Sequence, residues 1–443
     1  IDYPFDKRTI VVTALTGSAA VNIGGETTHS ACLINKKIIQ ATDIEDWQDT
    51  ALVIIDEISF ASYDLLKKID SNLNFLQQTN QIDKFGELPI LFAGDFTQLE
   101  PVNANPIWLD KNNTIWYDYV NIYMELKTNH RFNQDRHWGK MLQKLRVEGL
   151  NQHEIDTINE RVVSNINSLH ESQIPSDAVY ATKDNRDKTA INDGIFSLHI
   201  SQTHSKDKEY PIPKHTICIK ASNISFKMSN RHGDYTVDRQ QHAENIIYSC
   251  CGDCHVKDGS EKRHDPMLKL YYDRPLCINQ NLDVGNCIAN GAMCKFKGIV
   301  LKEGFQPETA FTPILYDGYH VNTVDASLVQ YLVVEMIDGN NANKKVTLKA
   351  ENVSGAKVQF PFAWDNPAVI TKKTKRINRI IRFSQFPVNV ANARTVHKLQ
   401  GRSLTSVVIS TFDYTGNWVY VVLSRCATLG GLFLRKKLLK TKP

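Results

Sequence analysis

The stretch that decides the fold is Leu52-Val53-Ile54-Ile55-Asp56-Glu57-Ile58-Ser59. Four strand-forming residues run into two adjacent carboxylates, the form of a buried parallel strand that delivers acids at its C-terminal end. One carboxylate in that position can hold Mg²⁺ through its water shell, and the next can orient or deprotonate a water, as in a Walker B element. A strand end capped by acids for structural reasons is the competing reading. Nowhere in the 443 residues is there a Gly-x-x-x-x-Gly-Lys-Ser/Thr loop to cradle phosphates. Either such a loop was lost before Ile1 or the chain is no longer a motor.

Outward from this strand, residues 9–15 read as a second buried strand, followed by the Gly17 turn and a short helix. Residues 88–93 read as a third strand, ending at Gly94-Asp95. Leu65, Leu66, Ile69, Leu73 and Leu76 recur at helical spacing and predict a helix over about 62–77. Strands that alternate with helices and end in polar residues predict an α/β fold, a doubly wound parallel sheet with a ligand site at its C-terminal edge. Beyond Leu126 the pattern predicts helices over 136–147 and 152–163, a strand at 178–181 and a helix at 184–192. Residues 200–265 are polar, rich in His and Cys, and carry no strong periodicity. From Pro275 to about Ile370, short alternating runs and turn pairs such as Asn290-Gly291 and Asp317-Gly318 predict a small β-barrel-like module. Residues 391–443 return to a strand–helix style around 407–409 and 419–422.

A chain of 443 residues has material for two to four domains, and 42% hydrophobic with 23% charged residues is ordinary for a globular protein. No apolar run reaches the roughly 18 residues needed to span a bilayer, so no membrane role is expected. Ile1-Asp2-Tyr3-Pro4 has no initiator Met and no signal-peptide character, which suggests a fragment. The net charge of +4 is too small to indicate a nucleic-acid partner by itself. Lys372, Lys373, Lys375, Arg376, Arg379 and Arg382 nevertheless form a cluster that could neutralise phosphates, or be a solvated basic loop. Nine cysteines, an odd number, argue for reduced thiols inside a cell. Cys250-Cys251-Gly252-Asp253-Cys254-His255 contains the Cys-x-x-Cys-His pattern of haem attachment. Together with His264, the residues Cys251, Cys254 and His255 could instead ligate zinc. The polar flanks favour a plain exposed insertion loop.

Several further segments carry chemistry. Thr13-Ala14-Leu15-Thr16-Gly17-Ser18 and Gly24-Gly25-Glu26-Thr27-Thr28-His29-Ser30 put hydroxyls and glycine amides at a strand end, where they can bind a phosphodiester or simply cap a helix. Gly94-Asp95-Phe96-Thr97-Gln98-Leu99 follows the third strand, and a glutamine there can sense a γ-phosphate or the attacking water. Arg131 and Arg425 would each be unremarkable in isolation. Phosphoryl transfer, however, needs fixed positive charge, and arginines from a second domain would make closure depend on ATP. Ala393-Arg394-Thr395-Val396-His397-Lys398-Leu399-Gln400-Gly401 packs a hydroxyl, an imidazole, an ammonium, an amide and a glycine together, more donors than a helix start needs.

In this order the segments resemble the Pif family of superfamily-one DNA helicases. The resemblance covers most of the chain: 13–30 as motif Ia, Asp56-Glu57 as motif II, 94–102 as motif III, Arg131 as motif IV, 393–401 as motif V and 420–425 as motif VI. It implies two RecA-like motor domains, the first incomplete, with an inserted SH3-like β module. The implied division is 1–125 for the first motor domain, 126–295 with 371–443 for the second (bearing the 200–265 insertion), and 296–370 for the β module. It implies Asp56 for Mg²⁺, Glu57 as catalytic base, Gln98 as γ-phosphate sensor, and Arg131 and Arg425 as arginine fingers. Gly94, Asp95 and Gly401 would line the nucleotide, and Thr16, Thr28, His29, Thr395, His397 and Lys398 would contact DNA. The implied cofactors are ATP and Mg²⁺, and the implied partners are single-stranded and forked or structured DNA, handled by a monomer. Unwinding would run five-prime to three-prime, in repair, recombination or telomere maintenance, within nucleus or mitochondrion.

Two departures qualify that expectation. The Walker A lysine is absent, and in this family it lies just upstream of motif Ia, so truncation is the simpler account and the chain alone is expected to be inactive. Motif IV reads Asn129-His130-Arg131-Phe132 where the family often has Arg-Gln. The alternative from another functional class is a non-catalytic module that binds single-stranded nucleic acid.

Overall fold

Along Leu52–Asp56 buried and half-buried residues alternate, and the strand lies between two parallel neighbours. In register, Ile10 to Ala14 face Leu52 to Asp56 on one side, and Val53 to Ile55 face Ile90 to Phe92 on the other. The full order of this four-stranded sheet is Glu26–Thr27, Ile10–Ala14, Leu52–Asp56, Ile90–Phe92. The computed structural model that shows this describes residues 9–80, 84–101, 104–109, 114–126, 130–163, 171–203, 216–227, 265–283, 286, 288–337, 342–361, 376–412 and 417–439. The chain forms two compact units, Ile1–Lys183 with Arg394–Pro443, and Asp184–Ala393.

In the first unit, the predicted helix is Tyr63–Leu76, capped by Ser62, whose hydroxyl accepts from Leu65 N–H at 3.3 Å. Its Leu66, Ile69, Leu73 and Leu76 bury against Val53 and Ile55 of the sheet. Truncating one such leucine to alanine typically costs about 2–5 kcal/mol. The same helix carries Asp70 and Asn74, which accept the backbone N–H groups of Phe85 and Gly86, each at 2.7 Å, and so fix the turn ahead of the third strand. A second sheet in this unit orders Ala393–Thr395, Val179–Thr182, Val407–Ile409 and Leu432–Leu434. Helices Arg136–Val147 and Trp418–Leu423 pack on it through Trp138, Met141, Leu142, Val421 and Val422. Fully buried Trp138 also spends its indole N–H on the Cys426 carbonyl at 3.0 Å.

The helix predicted over 152–163 stops at Asn159, because Val163 N–H is drawn off to the Leu434 carbonyl at 2.9 Å on the sheet edge. The doubly wound α/β reading holds for this unit: the strand pairs of its two sheets for which a register is defined are all parallel.

The second unit opens with helix Asn185–Thr203, which runs well past the predicted end at 192. Gly194 falls within it, where a Cβ would meet open space, so the helix passes through a glycine that weakens it by about 1 kcal/mol relative to alanine. The rest is β-rich. A five-stranded sheet orders Lys345–Leu348, Val329–Met336, Met293–Leu301, Pro275–Ile278 and Val388–Val390. A four-stranded sheet orders Thr312–Tyr316, Tyr319–Asp325, Ile217–Lys220 and Met267–Leu270, and a three-stranded one Glu351–Pro361, Arg376–Gln385 and Ser222–Lys227. Strands from 296–370 therefore pair with strands from both flanks. Two of these, Ile217–Lys220 and Ser222–Lys227, come from the polar stretch that showed no periodicity.

At the centre of this unit Arg274 is 1% exposed. Its Nε donates to Asn392 Oδ1 at 2.9 Å, one terminal nitrogen donates to the Asn192 carbonyl at 2.6 Å, and the other to the Lys269 carbonyl. The guanidinium also lies over the rings of Tyr271 and Phe196, at 5.1 and 5.3 Å. Asn192 Oδ1 in turn accepts from Ala393 N–H at 2.8 Å.

Some expectations fall outside the described residues. These include Cys251, Cys254, His255 and His264 of the haem or zinc reading, and Lys372, Lys373 and Lys375 of the basic cluster. Among the described residues no three His, Cys, Asp or Glu side chains gather as a metal site, and no helix is long and apolar enough to cross a membrane.

Candidate active site

The chain turns sharply after Asp56. Glu57 adopts φ +59°, the left-handed region, and starts the short 3₁₀ turn Ile58–Phe60. A non-glycine residue there costs about 1–2 kcal/mol, so its surroundings must hold it. They do: Leu15 N–H donates to the Asp56 carbonyl at 3.1 Å, and Ile58 N–H donates to the Ala93 carbonyl at 3.0 Å. Glu57 N–H itself donates to Asp56 Oδ1 at 2.8 Å. Gly94 closes against the turn, since a Cβ on it would stand 3.0 Å from Ile58 N.

The turn delivers Asp56 and Glu57 to a cavity of about 270 Å³ that is also lined by Gly94, Asp95, Gln98, Arg131 and Gly401. Residues from motifs II, III, IV and V thus meet in one place. Ala19, Asn22 and Ile23, from the 13–30 stretch, complete the wall. Burial raises both carboxyls above their usual range. At Glu57 this is opposed by the hydrogen bond from Gln400 and by the charges of Arg425 and Arg131, and reinforced by Asp56. At Asp56 the Glu57 N–H opposes it.

Asp95 organises the loop after the third strand. Its Oδ1 accepts from Thr97 N–H at 3.0 Å and Thr97 Oγ1 at 2.6 Å. Its Oδ2 accepts from Gln98 Nε2 at 3.4 Å and Tyr420 OH at 3.5 Å, with Arg146 at 3.8 Å. The Gln98 amide is thereby oriented, while its Oε1 is buried with no hydrogen-bond partner among the described residues. An unsatisfied buried acceptor costs about 1–3 kcal/mol and suits a donor such as water. Magnesium commonly takes one or two protein carboxylates and keeps several waters, so Asp56, whose Oδ2 forms no described hydrogen bond, and the Gln98 acceptor fit a hydrated ion beside phosphates.

Arg425 is 1% exposed and does not line the cavity. It donates to the Val421 carbonyl at 2.9 Å, to Ser424 Oγ at 2.8 Å and to the Arg402 carbonyl at 3.4 Å. Burial and the like charge of Arg131 pull its pKa down to about 10.

The expected DNA contacts are placed unevenly. Thr395 caps helix Val396–Leu399 by position, yet makes no side-chain capping bond. Lys398 is exposed and His397 half-buried, with burial lowering the imidazole pKa. Thr16 spends its hydroxyl accepting from Ala19 N–H at 3.2 Å, and His29 is half-buried. Thr28 departs from expectation: it is fully buried, with its hydroxyl 3.0 Å from that of Thr13, which donates on to the Ile54 carbonyl at 2.9 Å. In this arrangement it braces the sheet.

Sequence reasoning missed Gln400, whose Nε2 donates to Glu57 Oε2 at 3.1 Å. It also missed Tyr420, Arg146 and Asn417, which hold the Asp95–Gln98 loop. Gln400 and Tyr420 stand inside segments already singled out, so adjacency was a usable signal; Arg146 and Asn417 offered none.

A parallel sheet thus brings an acid pair, a glutamine and an arginine to one cavity, the residue types that phosphoryl transfer uses. Comparison with known proteins narrows this. Residues 3–147 match the model of the PIF1-like helicase family. The ATP-dependent DNA helicase PIF1 of Saccharomyces cerevisiae is 28% identical over 97% of this chain and 54% of its own, and human PIF1 is 23% identical over 95% and 53%. A Bacteroides Pif1 helicase in complex with ADP-AlF3 and ssDNA superposes with a TM-score of 0.61 at 19% identity, over 98% of this chain and 84% of that one. The match to the PIF1-like helicase family lies in residues 3–147, and the chain as a whole has the fold of the solved Pif1 helicase. It spans about half the length of these two curated relatives.

Proposed function

We propose that the protein is an ATP-dependent DNA helicase that couples ATP hydrolysis to five-prime-to-three-prime movement on single-stranded DNA and unwinding of forked or structured duplexes. The observation that carries this reading is the convergence of Asp56, Glu57, Gln98, Arg131 and Gly401 on one cavity. Asp56 would hold Mg²⁺, which when bound neutralises charge on the phosphates. Glu57 accepts a proton from the attacking water, whose position Gln98 Oε1 fixes. Arg131 stabilises charge on the γ-phosphoryl group, and Arg425 adds to it once freed from its own helix carbonyl. Thr16, His29, Thr395, His397 and Lys398 would follow the DNA backbone. We assign residues 1–125 to the first motor domain, 126–295 with 371–443 to the second, and 296–370 to an SH3-like module, with maintenance of the genome as the setting.

The phosphate-cradling loop is not among these 443 residues, so hydrolysis is assigned to the full-length protein and tested there. Glu57→Gln keeps the shape and removes the base. DNA-stimulated ATP turnover should fall by about 10²–10⁴ with single-strand binding retained. Unchanged turnover would refute the role of Glu57. Single-strand binding by a full-length protein with no ATPase at all would favour the binding-module reading.

A further inference from the structure

The loop Gln400-Gly401 touches more than the nucleotide cavity. Gln400 is fully buried, and its side chain holds one carboxylate oxygen of Glu57 at 3.1 Å. Gly401, at φ +79°, lies against the other oxygen: a Cβ there would stand 3.3 Å from Glu57 Oε1. Backbone atoms of the same two residues bind helix Gly17–Asn22, because the Gln400 carbonyl accepts from Ser18 Oγ at 3.4 Å and the Gly401 carbonyl from Asn22 Nδ2 at 3.1 Å. That helix begins at Thr16. On the other side, Gln400 N–H closes the turn of helix Val396–Leu399 by donating to the Val396 carbonyl at 3.1 Å, directly after His397 and Lys398. Two segments of opposite ends of the sequence, each carrying candidate phosphate contacts, are therefore joined at Gln400 and pass through one amide to the base.

The amide is also unsettled. Gln400 Oε1 is buried with no hydrogen-bond partner among the described residues. The amide is therefore held by its bond to Glu57 alone, where one with donor and acceptor both engaged would be fixed at both ends.

We infer that Gln400 is the positioning residue that relays the presence of single-stranded DNA to Glu57. Strand contact at Thr16, His397 and Lys398 shifts the two segments, and Gln400 converts the shift into the orientation of the carboxylate that faces the attacking water. Gln400 touches neither substrate nor metal and acts only through Glu57. The inference rests on the helicase reading.

The test compares steady-state ATP hydrolysis by full-length wild type, Gln400→Ala and Gln400→Met, with and without a single-stranded oligonucleotide. Methionine keeps the length and volume of glutamine but lacks the N–H donor, so it separates the hydrogen bond from packing and decides the question if the alanine variant fails to fold. A misplaced catalytic group costs up to about 100-fold, so kcat with DNA should fall by at least about tenfold in both variants. KM for ATP and the oligonucleotide Kd should stay near wild type, and the rate without DNA should fall much less, so the DNA stimulation collapses. Wild-type stimulation in Gln400→Met, or equal loss with and without DNA, would overturn the relay. A wild-type protein without DNA-stimulated hydrolysis would instead refute the helicase reading itself.

Discussion

Arg274 and Arg425 are buried to the same degree, each 1% exposed, yet their surroundings differ in kind. Arg274 gives its donors to three oxygens on three separate segments and lies over two aromatic rings. Asp193 and Asp265 also support its charge. Among the described residues Arg425 hydrogen-bonds to Val421, Ser424 and Arg402, all within 23 residues of it in sequence, and while Glu57 and Asp95 support its charge, a second cation, Arg131, opposes it more strongly. Buried charge is expensive unless paired and fully hydrogen-bonded. The first arginine satisfies that demand inside the fold and is a structural hub. The second is less well compensated, with burial and Arg131 outweighing Glu57 and Asp95, so an anion near both guanidiniums would favour its charge.

Substitution should separate the two roles. Arg425→Met in the full-length protein is expected to lower ATP turnover by about 10³ or more, the usual worth of an arginine finger. Its urea unfolding midpoint should hold or rise, because an apolar isostere removes a buried charge that its neighbours compensate incompletely. A large loss of stability with near-normal turnover would make Arg425 another hub. Arg274→Met is the converse. It orphans oxygens on Asn392, Asn192 and Lys269 and should cost at least about 3 kcal/mol of unfolding free energy. Turnover per folded molecule should stay within about twofold if its role is structural.

A gentler probe is the anion itself. Pyrophosphate with Mg²⁺, added at about 100 times its Kd, should stabilise wild type by about 2.7 kcal/mol, read as a rise in Tm. The rise should shrink in Arg425→Met and persist in a destabilised scaffold variant such as Leu73→Ala. Equal shifts in all three would place the anion away from Arg425.

The smallest effect concerns pH. Burial holds the imidazoles of His29, which also feels Lys68, and His397 below their ordinary 6.5. Such groups favour the fold while neutral, so their contribution is complete above 6.5 and lost as pH falls through the lowered folded values. Tm should therefore decline modestly between about pH 7.5 and about pH 5, and less so in a His29→Asn, His397→Asn double variant.

How much of this was legible in the sequence follows from the reach of each interaction. The Asp56 strand, the helix at 63–76 and the helix at 136–147 announce themselves through local periodicity, and the structure places them as read. Strands Ile217–Lys220 and Ser222–Lys227 did not, because their partners come from 267–270, 319–325 and 376–385, and pairing supplied what local pattern lacked. In the site, Asp56, Glu57, Gln98 and Arg131 were readable as residue types matched to a chemistry. Gln400 stood in a segment already singled out, but its partner was not readable, since the bond to Glu57 spans 343 positions. The burial of Thr28 was hidden for a related reason: a hydroxyl looks the same in sequence whether it faces solvent or, as here, Thr13.

Gly401 leaves 3.3 Å between a would-be methyl and Glu57 Oε1, and 3.5 Å to Ala19 Cβ. In genetic terms that clearance is a site for a graded allele. Gly401→Ala at a positive φ costs about 1–2 kcal/mol, which a domain survives, while it nudges the base by tenths of an ångström. On the proposed function the outcome is a protein that still grips its strand but steps slowly.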